Sequence, residues 1–318
     1  MEITFLGTSS GVPTRSRNVS GVALRLPQRA EVWLFDCGEG TQHQLLRSDI
    51  KTSQLQQIFI THMHGDHIFG LMGLLASSGL AGSAQPINIY GPAELDEYLY
   101  ACAKCTHSSL SHRPRARTVQ PGFVYEDQEF TVQCRRLKHR IPAYGYRVVE
   151  KDRPGRFKVE RAAALGIPPG PVYGKLKRGE TVTLEDGRRI RGADLCGETE
   201  PGRKLAYCTD TIFCEEAVEL ARDADVLIHE ATFSHQDAQL AFERLHSTST
   251  MAAQVALAAG AKQLIMTHFS PRYAPGNPQQ LGDLLTEAQA IFPNTILAYD
   301  FLTYEVPRRR VKEKVGVS

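Results

Sequence analysis

A cluster of metal-ligating side chains at residues 61–67, Thr-His-Met-His-Gly-Asp-His, dominates the chemistry that this sequence can support. It offers three imidazoles and one carboxylate directly after residues 57–60, an apolar run that predicts a buried strand. Without a cation to hold them, side chains crowded in this way would repel or desolvate one another. A lone histidine is usually structural, but this density of ligands predicts a metal site at a strand end.

The spacing inside the cluster indicates two metal centres rather than one. His62 and His64 are two residues apart in an extended segment, so both can face the same side. Asp66 and His67 follow Gly65 into a helix, which turns them toward a second centre. Because each zinc ion prefers about four ligands, further ligands must come from elsewhere in the chain. The candidates, each following a later strand, are His139, Asp210 and His268.

Short strands alternating with helices must position these ligands. We expect strands at residues 3–6, 22–26, 31–35, 57–60, 205–208, 226–228 and 264–266. We expect helices at residues 41–47, 68–75 and 250–259, the last ending at Gly260. The alternation predicts a layered α/β architecture, in which polar residues at the strand ends carry the chemistry.

The composition of the 318 residues is that of an ordinary globular protein. Hydrophobic residues make up 42% and charged residues 23%, and the net charge of +2 gives no argument for nucleic acid. No stretch approaches the roughly 20 apolar residues of a membrane span, and we see no signal peptide at the N-terminus. Seven cysteines without framework spacing predict reduced thiols in a cytoplasmic protein.

A basic segment at residues 147–191 departs from this even background. It holds twelve Lys and Arg against six Asp and Glu, a local charge of +6. Residues 166–171 read Gly-Ile-Pro-Pro-Gly-Pro, and no long hydrophobic run ties the segment to a core. We interpret it as a flexible arm inserted in a single domain of residues 1–318. Composition alone equally allows a solvated surface excursion.

The H-x-H-x-D-H string at residues 62–67 resembles the signature of the metallo-β-lactamase superfamily. The resemblance covers nearly the whole chain through the later ligand positions, and it implies an α/β sandwich of αββα type with two Zn²⁺ per chain. It implies that one zinc is held by His62, His64 and His139, the other by Asp66, His67 and His268, with Asp210 bridging both. Because lactamases, thioesterases, sulfatases and nucleases share this string, it does not identify the substrate.

Three shorter strings narrow the substrate. Residues 229–232 read His-Glu-Ala-Thr, residues 246–248 read His-Ser-Thr, and residues 13–18 read Pro-Thr-Arg-Ser-Arg-Asn. Together they resemble the HEAT, HST and PxKxRN loops of the tRNase Z family, with Arg15 in place of the lysine. In that family the last loop is linked to sensing the CCA sequence, so the resemblance implies RNA contacts by Arg15, Arg17 and Asn18. The arginine keeps the charge but changes the contact geometry.

The family resemblance also implies an activity, which is removal of the 3′ trailer from precursor tRNA. It would leave a 3′-hydroxyl on the tRNA and a 5′-phosphate on the trailer. By resemblance His246 is the general acid and Glu230 orients its ring, while Asp66 can accept the proton of the attacking water. Residues 170–179 are similar to the Gly-Pro part of the family exosite, with Lys175, Lys177 and Arg178 as candidate phosphate contacts. The resemblance further implies a homodimer.

Two other functions share parts of this pattern. A phosphodiesterase or other hydrolase acting on small molecules could use the same metal centre, but it would have no use for the basic arm. A non-catalytic RNA-binding subunit would fit the arm, but a complete ligand set argues against lost catalysis. Cleavage of precursor tRNA compared with cleavage of a small phosphodiester separates these functions.

Overall fold

Strands and helices alternate along the part of the chain that the computed structural model describes, residues 1–80, 86–108 and 115–308. The strands are β1 (Glu2–Gly7), β2 (Gly21–Leu26), β3 (Glu31–Phe35), β4 (Leu55–Phe59), β5 (Asn88–Gly91), β6 (Arg115–Thr118), β7 (Gly122–Glu126), β8 (Phe130–Leu137), β9 (Ala143–Glu150), β10 (Thr181–Thr183), β11 (Arg189–Arg191), β12 (Lys204–Cys208), β13 (Val226–Glu230), β14 (Leu264–Thr267), β15 (Thr295–Leu297) and β16 (Thr303–Glu305). The α-helices are α1 (Thr41–Leu46), α2 (Gly65–Ile68), α3 (Leu71–Leu80), α4 (Leu95–Cys105), α5 (Val159–Ala164), α6 (Pro171–Lys177), α7 (Glu215–Ala221), α8 (Ala238–Arg244), α9 (Ser249–Ala259) and α10 (Leu281–Gln289).

Two seven-stranded sheets frame the larger of two compact units, which comprises Met1–Asp127, Thr131–Val148 and Lys204–Val306. The first sheet has the order β16-β1-β2-β3-β4-β5-β6 and the second the order β15-β14-β13-β12-β9-β8-β7. Strands β3 to β6 run parallel, as do β12 to β15. Because the carboxyl ends of parallel strands share one edge of a sheet, the residues that follow β12, β13 and β14 gather at one edge.

An aromatic layer joins the two sheets. Phe35 lies between Phe59 of its own sheet, at a ring-centroid distance of 5.1 Å, and Tyr207 of the second sheet, at 5.4 Å. Phe59 also contacts Tyr146 of the second sheet at 5.4 Å. Such pairs add about 0.5–1.5 kcal/mol each beyond the apolar area that they bury. Each tyrosine hydroxyl donates a hydrogen bond. Tyr146 donates to Ile60 O at 2.7 Å, and Tyr207 donates to Asp36 Oδ2 at 3.1 Å.

Helices cover the outer face of each sheet, which completes the αββα layering. The core outside the first sheet includes Leu45, Leu71 and Leu99, from helices α1, α3 and α4. The core outside the second sheet draws on α7, α9 and α10, and the buried alanines of α9 let that helix lie close to the strands. The arrangement confirms the predicted sandwich. No helix among the described residues is long and apolar enough to cross a membrane.

The helix expected at residues 68–75 is in fact two helices, α2 and α3, separated at Phe69 and Gly70. The backbone of Gly70 passes so close to the loop after β3 that an added Cβ would lie 2.1 Å from Gly38 O. This close approach ties the turn after the ligand cluster to the end of β3. The helix expected to end at Gly260 does so, because Gly260 adopts the left-handed conformation that caps α9.

The second compact unit, centred on Val149–Arg203, has a core of its own. Its buried side chains include Phe157, Tyr173 and Leu176, and β10 and β11 form a two-stranded sheet. Near the two ends of this segment, Arg153 and Glu200 exchange backbone hydrogen bonds of 3.0 and 2.8 Å. This core comes from single apolar residues spread along the segment, which is why no hydrophobic run marks it in the sequence.

Candidate metal centre and active site

Three imidazoles and one carboxylate oxygen converge at the first ligand cluster. His64 Nδ1 lies 3.0 Å from His62 Nε2 and 3.2 Å from His139 Nε2. Asp210 Oδ2 lies 3.4 Å from His62 Nε2 and 3.7 Å from His139 Nε2. His62 and His64 follow β4, His139 follows β8 and Asp210 follows β12. Strand ends from both sheets therefore supply this cluster.

The second cluster shares the same aspartate through its other oxygen. Asp210 Oδ1 lies 3.2 Å from both His67 Nε2 and His268 Nε2, which are 3.3 Å apart. Asp66 Oδ2 completes the group, at 3.5 Å from His67 Nε2 and 3.4 Å from His268 Nε2. The two oxygens of one carboxylate thus face two different clusters, which is the geometry of a bridging ligand.

These distances fit metal ligation. A tetrahedral ion with bonds of about 2.0–2.1 Å requires ligand atoms roughly 3.3 Å apart, and most of the separations are close to that value. Asp210 Oδ1 is buried and accepts no hydrogen bond, although burial of a carboxylate oxygen without a partner is costly. A cation at the second cluster, which this oxygen faces, would satisfy it.

The pKa shifts of the histidines in the first cluster favour the neutral form, which is the form that binds a metal. Burial, followed by the neighbouring His62 and His139, lowers the pKa of His64 to about 4. Burial also lowers the pKa of His62 and of His139, so these rings stay neutral and keep a lone pair for a metal. His67 differs because the nearby charges of Asp210 and other carboxylates outweigh its burial and raise its pKa. A cation at the second cluster would neutralise this excess of buried negative charge.

Four of the five candidate ligand histidines, all but His64, have an outer ring nitrogen held by a neighbouring group, which directs the inner nitrogen toward the clusters. His62 Nδ1 bonds to Thr61 Oγ1 at 2.9 Å, and His139 Nδ1 to Leu245 O at 2.9 Å. His268 Nδ1 bonds to Thr232 Oγ1 at 2.9 Å. Contacts of this kind fix the tautomer and orientation of a metal-bound imidazole.

Asp36 is a functional residue that the sequence reasoning did not assign. It is fully buried after β3, and its Oδ2 accepts from His67 Nδ1 at 2.8 Å and from Tyr207 Oη at 3.1 Å. Thr61, which contacts His62, also donates to it through both N and Oγ1. One carboxylate therefore supports ligands of both clusters. Its place in the Asp-Cys-Gly-Glu-Gly turn at the end of a predicted strand was the available signal.

Strained backbone surrounds the clusters. Asp36, Asp210, Leu245 and His268 all have positive φ values, of 59, 42, 55 and 60°. Non-glycine residues adopt this region at a cost of about 1 kcal/mol or more, and it is concentrated at functional sites. Asp210 and His268 point ligand atoms at the clusters, Asp36 holds the outer nitrogen of His67, and Leu245 presents the carbonyl that orients His139.

A histidine–glutamate pair lies beside the clusters. His246 Nδ1 is 2.9 Å from Glu230 Oε1, and the His246 ring is stacked 5.6 Å from that of His268. Glu230 is fully buried and also accepts from Thr211 N at 2.8 Å and from Thr232 N at 3.1 Å. Burial alone would lower the pKa of His246, but the charge and hydrogen bond of Glu230 outweigh it and raise the pKa to about 9. The ring can therefore carry a proton at neutral pH.

Neighbouring motif residues have structural roles. His229 is buried and its Nδ1 bonds to Glu230 O at 2.8 Å, and it is not among the described side chains whose ligand atoms converge at either cluster. Thr248 caps α9 by accepting from Met251 N at 3.2 Å.

The predicted RNA contacts differ in their surroundings. Arg15 is exposed, whereas Arg17 is half-buried and donates to Thr8 Oγ1 at 2.6 Å and to Ala298 O at 3.0 Å. Asn18 donates through Nδ2 to Glu39 O at 2.8 Å. In the second unit, the predicted phosphate contacts Lys175, Lys177 and Arg178 are all exposed. Their RNA contacts remain predictions.

Two family models match the chain. One, described as Anti-Pycsar protein Apyc1, matches residues 1–146, and the other, described as beta-lactamase superfamily domain, matches residues 195–269. Curated relatives match at higher coverage. The ribonuclease Z of Rippkaea orientalis is 78% identical over 312 residues, covering 98% of this chain and 99% of that protein. The ribonuclease Z of Crocosphaera subtropica is 78% identical over 309 residues, covering 97% and 99%.

A solved structure shows the same similarity at greater distance. The crystal structure of the short form of human tRNase Z is 32% identical, with a TM-score of 0.69. It covers 96% of this chain and is itself covered completely. The similarity thus extends over nearly the whole length of each protein.

Proposed function

Because the chain belongs to the ribonuclease Z family and has the metallo-β-lactamase fold, we propose that it is a zinc-dependent endoribonuclease that removes the 3′ trailer from precursor tRNA. The observation that carries the proposal is Asp210, whose two oxygens face two imidazole clusters, with the His246–Glu230 pair alongside. A hydrolytic nuclease needs this combination of charge neutralisation and a proton donor.

Two zinc ions per chain fit the donor sets. The first would be held by His62, His64, His139 and Asp210, and the second by Asp66, His67, His268 and the same Asp210. When bound, such a pair supplies positive charge at the phosphate oxygens and makes water a stronger acid. Imidazole and carboxylate ligands in tetrahedral spacing favour zinc over magnesium or calcium.

The protein's own residues handle the protons. Asp66 is ionised in its cluster, because the charge and hydrogen bonds of neighbouring histidines outweigh its burial and lower its pKa. Its carboxylate is the proposed acceptor of the proton of the attacking water. His246 donates a proton to the departing 3′ oxygen, and Glu230 holds the ring in place for this transfer. Breaking the bond to the 3′ oxygen leaves a 3′-hydroxyl on the tRNA and a 5′-phosphate on the trailer.

The basic arm, residues 147–191, is proposed to grip the tRNA body. Lys175 and Lys177 are exposed, and no ion pair within the described residues involves either of them. Arg178 is also exposed but pairs with Glu180 at 2.7 Å, so its charge is partly compensated. Cations of this kind contact phosphates without reading bases.

A homodimer is the proposed assembly. Leu46 at the end of α1 is 71% exposed, and Leu80 at the end of the neighbouring α3 is 90% exposed. These two leucines, on neighbouring helices, offer a candidate surface for a second copy of the chain. We also propose a cytoplasmic location, since all seven cysteines are unpaired. Light scattering of the purified protein tests the dimer.

One gel assay tests the central proposal. Precursor tRNA labelled at the 5′ end should be shortened to the mature 3′ end, with a 3′-hydroxyl on the product and a 5′-phosphate on the trailer. Excess chelator should abolish the cleavage, and zinc should restore it. Cleavage of bis(p-nitrophenyl) phosphate without cleavage of precursor tRNA would identify a small-molecule phosphodiesterase instead.

A further inference from the structure

The loop of residues 8–18 places a backbone donor on the second ligand cluster. Gly11 N donates to Asp66 Oδ2 at 2.8 Å, and this is the oxygen that faces His67 and His268. A carboxylate ligand held by a fixed donor keeps its orientation, and such outer contacts tune metal affinity. The position of this loop therefore affects the second cluster.

One carboxylate, that of Asp300, holds both ends of the loop. Asp300 lies in the turn after β15, and its Oδ1 accepts from Thr8 Oγ1 at 2.8 Å. Its Oδ2 accepts from Asn18 N at 2.6 Å. Thr8 and Asn18 are the first and last residues of the loop, and Thr8 N donates to Asn18 O at 2.9 Å. The carboxylate thus closes the loop at its base.

Neighbouring side chains hold this base in place. Gln44 of α1 donates through Nε2 to Asp300 Oδ2 at 3.0 Å and to Leu6 O at 2.8 Å. Arg17 donates to Thr8 Oγ1 at 2.6 Å, and its guanidinium stacks 5.2 Å from the ring of Phe269, the residue after His268. The base of the loop is therefore linked to β1, to α1 and to the segment that carries a ligand of the second cluster.

We propose that Asp300 is a positioning residue for the second metal site, acting through the loop that carries Gly11. An ionised carboxylate is an acceptor only, and Asp300 faces three donors, Thr8 Oγ1, Asn18 N and Gln44 Nε2. An amide in its place would turn an NH₂ group toward at least one of these donors. The base of the loop would then open, and the Gly11 donor would shift from Asp66. The inference rests on the proposed two-zinc centre.

Zinc affinity measured site by site tests this role. His64→Ala disables the first cluster and leaves the second, whereas His268→Ala does the reverse. Added to the His64→Ala protein, Asp300→Asn should weaken zinc binding by about 10–100-fold in a chelator competition, as expected for a lost outer contact. Added to the His268→Ala protein, it should leave the zinc affinity unchanged. Thr8→Val, which removes one donor without adding another, should give a smaller effect in the same direction.

Asp225→Asn is the matched control. Asp225 is a buried aspartate just before β13, at the end of the strand away from the clusters, and it accepts from Lys204 N and Lys262 Nζ, both at 2.8 Å. Its replacement should lower the melting temperature without changing zinc affinity in either background. An Asp300→Asn effect that is absent, or equal in both backgrounds, would overturn the positioning role. Absence of zinc from the unaltered protein would overturn the two-zinc function, and the inference with it.

Discussion

Replacement of His246 by alanine separates proton donation from every other function of the site. The leaving 3′ oxygen of a ribonucleotide is a strong base and needs a proton, whereas p-nitrophenolate is a stable anion and does not. His246 is close to the second cluster but is placed by Glu230, at 2.9 Å, so its removal should not release metal. The prediction is therefore a loss that depends on the leaving group.

The expected loss of rate follows from the protonation state of His246 and from the usual contribution of a general acid. With its pKa raised to about 9, the imidazole of His246 is mostly protonated at pH 7, so it holds the proton to be transferred. A lost general acid costs about 10²–10⁴-fold in rate, equivalent to about 2.7–5.4 kcal/mol of transition-state stabilisation. Precursor-tRNA cleavage by His246→Ala should slow by this factor under single-turnover conditions, while cleavage of bis(p-nitrophenyl) phosphate should fall less than about 10-fold.

Two measurements make the comparison decisive. Zinc content should equal that of the unaltered protein, which excludes metal loss as the cause. His235→Ala, a histidine that contacts Thr250 and not the clusters, should change neither rate. Equal losses on both substrates by His246→Ala, at full zinc content, would refute the assignment of the general acid.

Three further perturbations address the metal bridge, the acid's partner and the arm. Asp210→Ala should lower the zinc content, measured by elemental analysis, and abolish activity on both substrates, because the two oxygens of Asp210 face the two clusters. Full zinc content with full activity would contradict the assignment of Asp210 as a bridging ligand. Glu230→Gln removes the charge that raises the pKa of His246. Since the acid must be protonated to act, the basic limb of the pH profile of kcat/KM should move to lower pH. An unmoved limb would show that another group controls it. Deleting residues 154–199 and joining Arg153 to Glu200 by a short turn should preserve small-ester cleavage, weaken precursor-tRNA binding and flatten its salt dependence, measured by filter binding at several salt concentrations. Unchanged tRNA binding would show that the arm is not the grip.

The ligand cluster at residues 61–67 could be predicted because its members are neighbours in the chain. Residue alternation in an extended segment places His62 and His64 on one side, and the helix that begins at Gly65 turns Asp66 and His67 away. Strand ends after apolar runs likewise marked the later ligands. The resemblance of residues 229–232 and 246–248 to known loops then indicated Glu230 and His246, and the structure brings this pair together at 2.9 Å.

The supporting carboxylates could not be predicted in this way. Asp36 contacts His67, 31 residues away, and Asp300 closes a loop that begins 292 residues earlier. Asp300 belongs to no local pattern with a period or a spacing, and Asp36 is marked only by its place at the end of a predicted strand, which does not show what it contacts. Arg17 shows the opposite case, because its motif indicates an RNA contact while two of its hydrogen bonds are made inside the protein.

The local sequence therefore determined which side chains could carry chemistry, whereas tertiary packing decided which distant residues support which ligands. Periodicity and turn residues act over a few positions, which is enough to determine strands, helices and the His-rich turn. Which oxygen of Asp210 faces which cluster depends on how the ends of β4, β8, β12 and β14 meet across two sheets. That meeting is governed by the aromatic layer between the sheets and by close backbone approaches such as that of Gly70 to Gly38, which involve residues far apart in the chain.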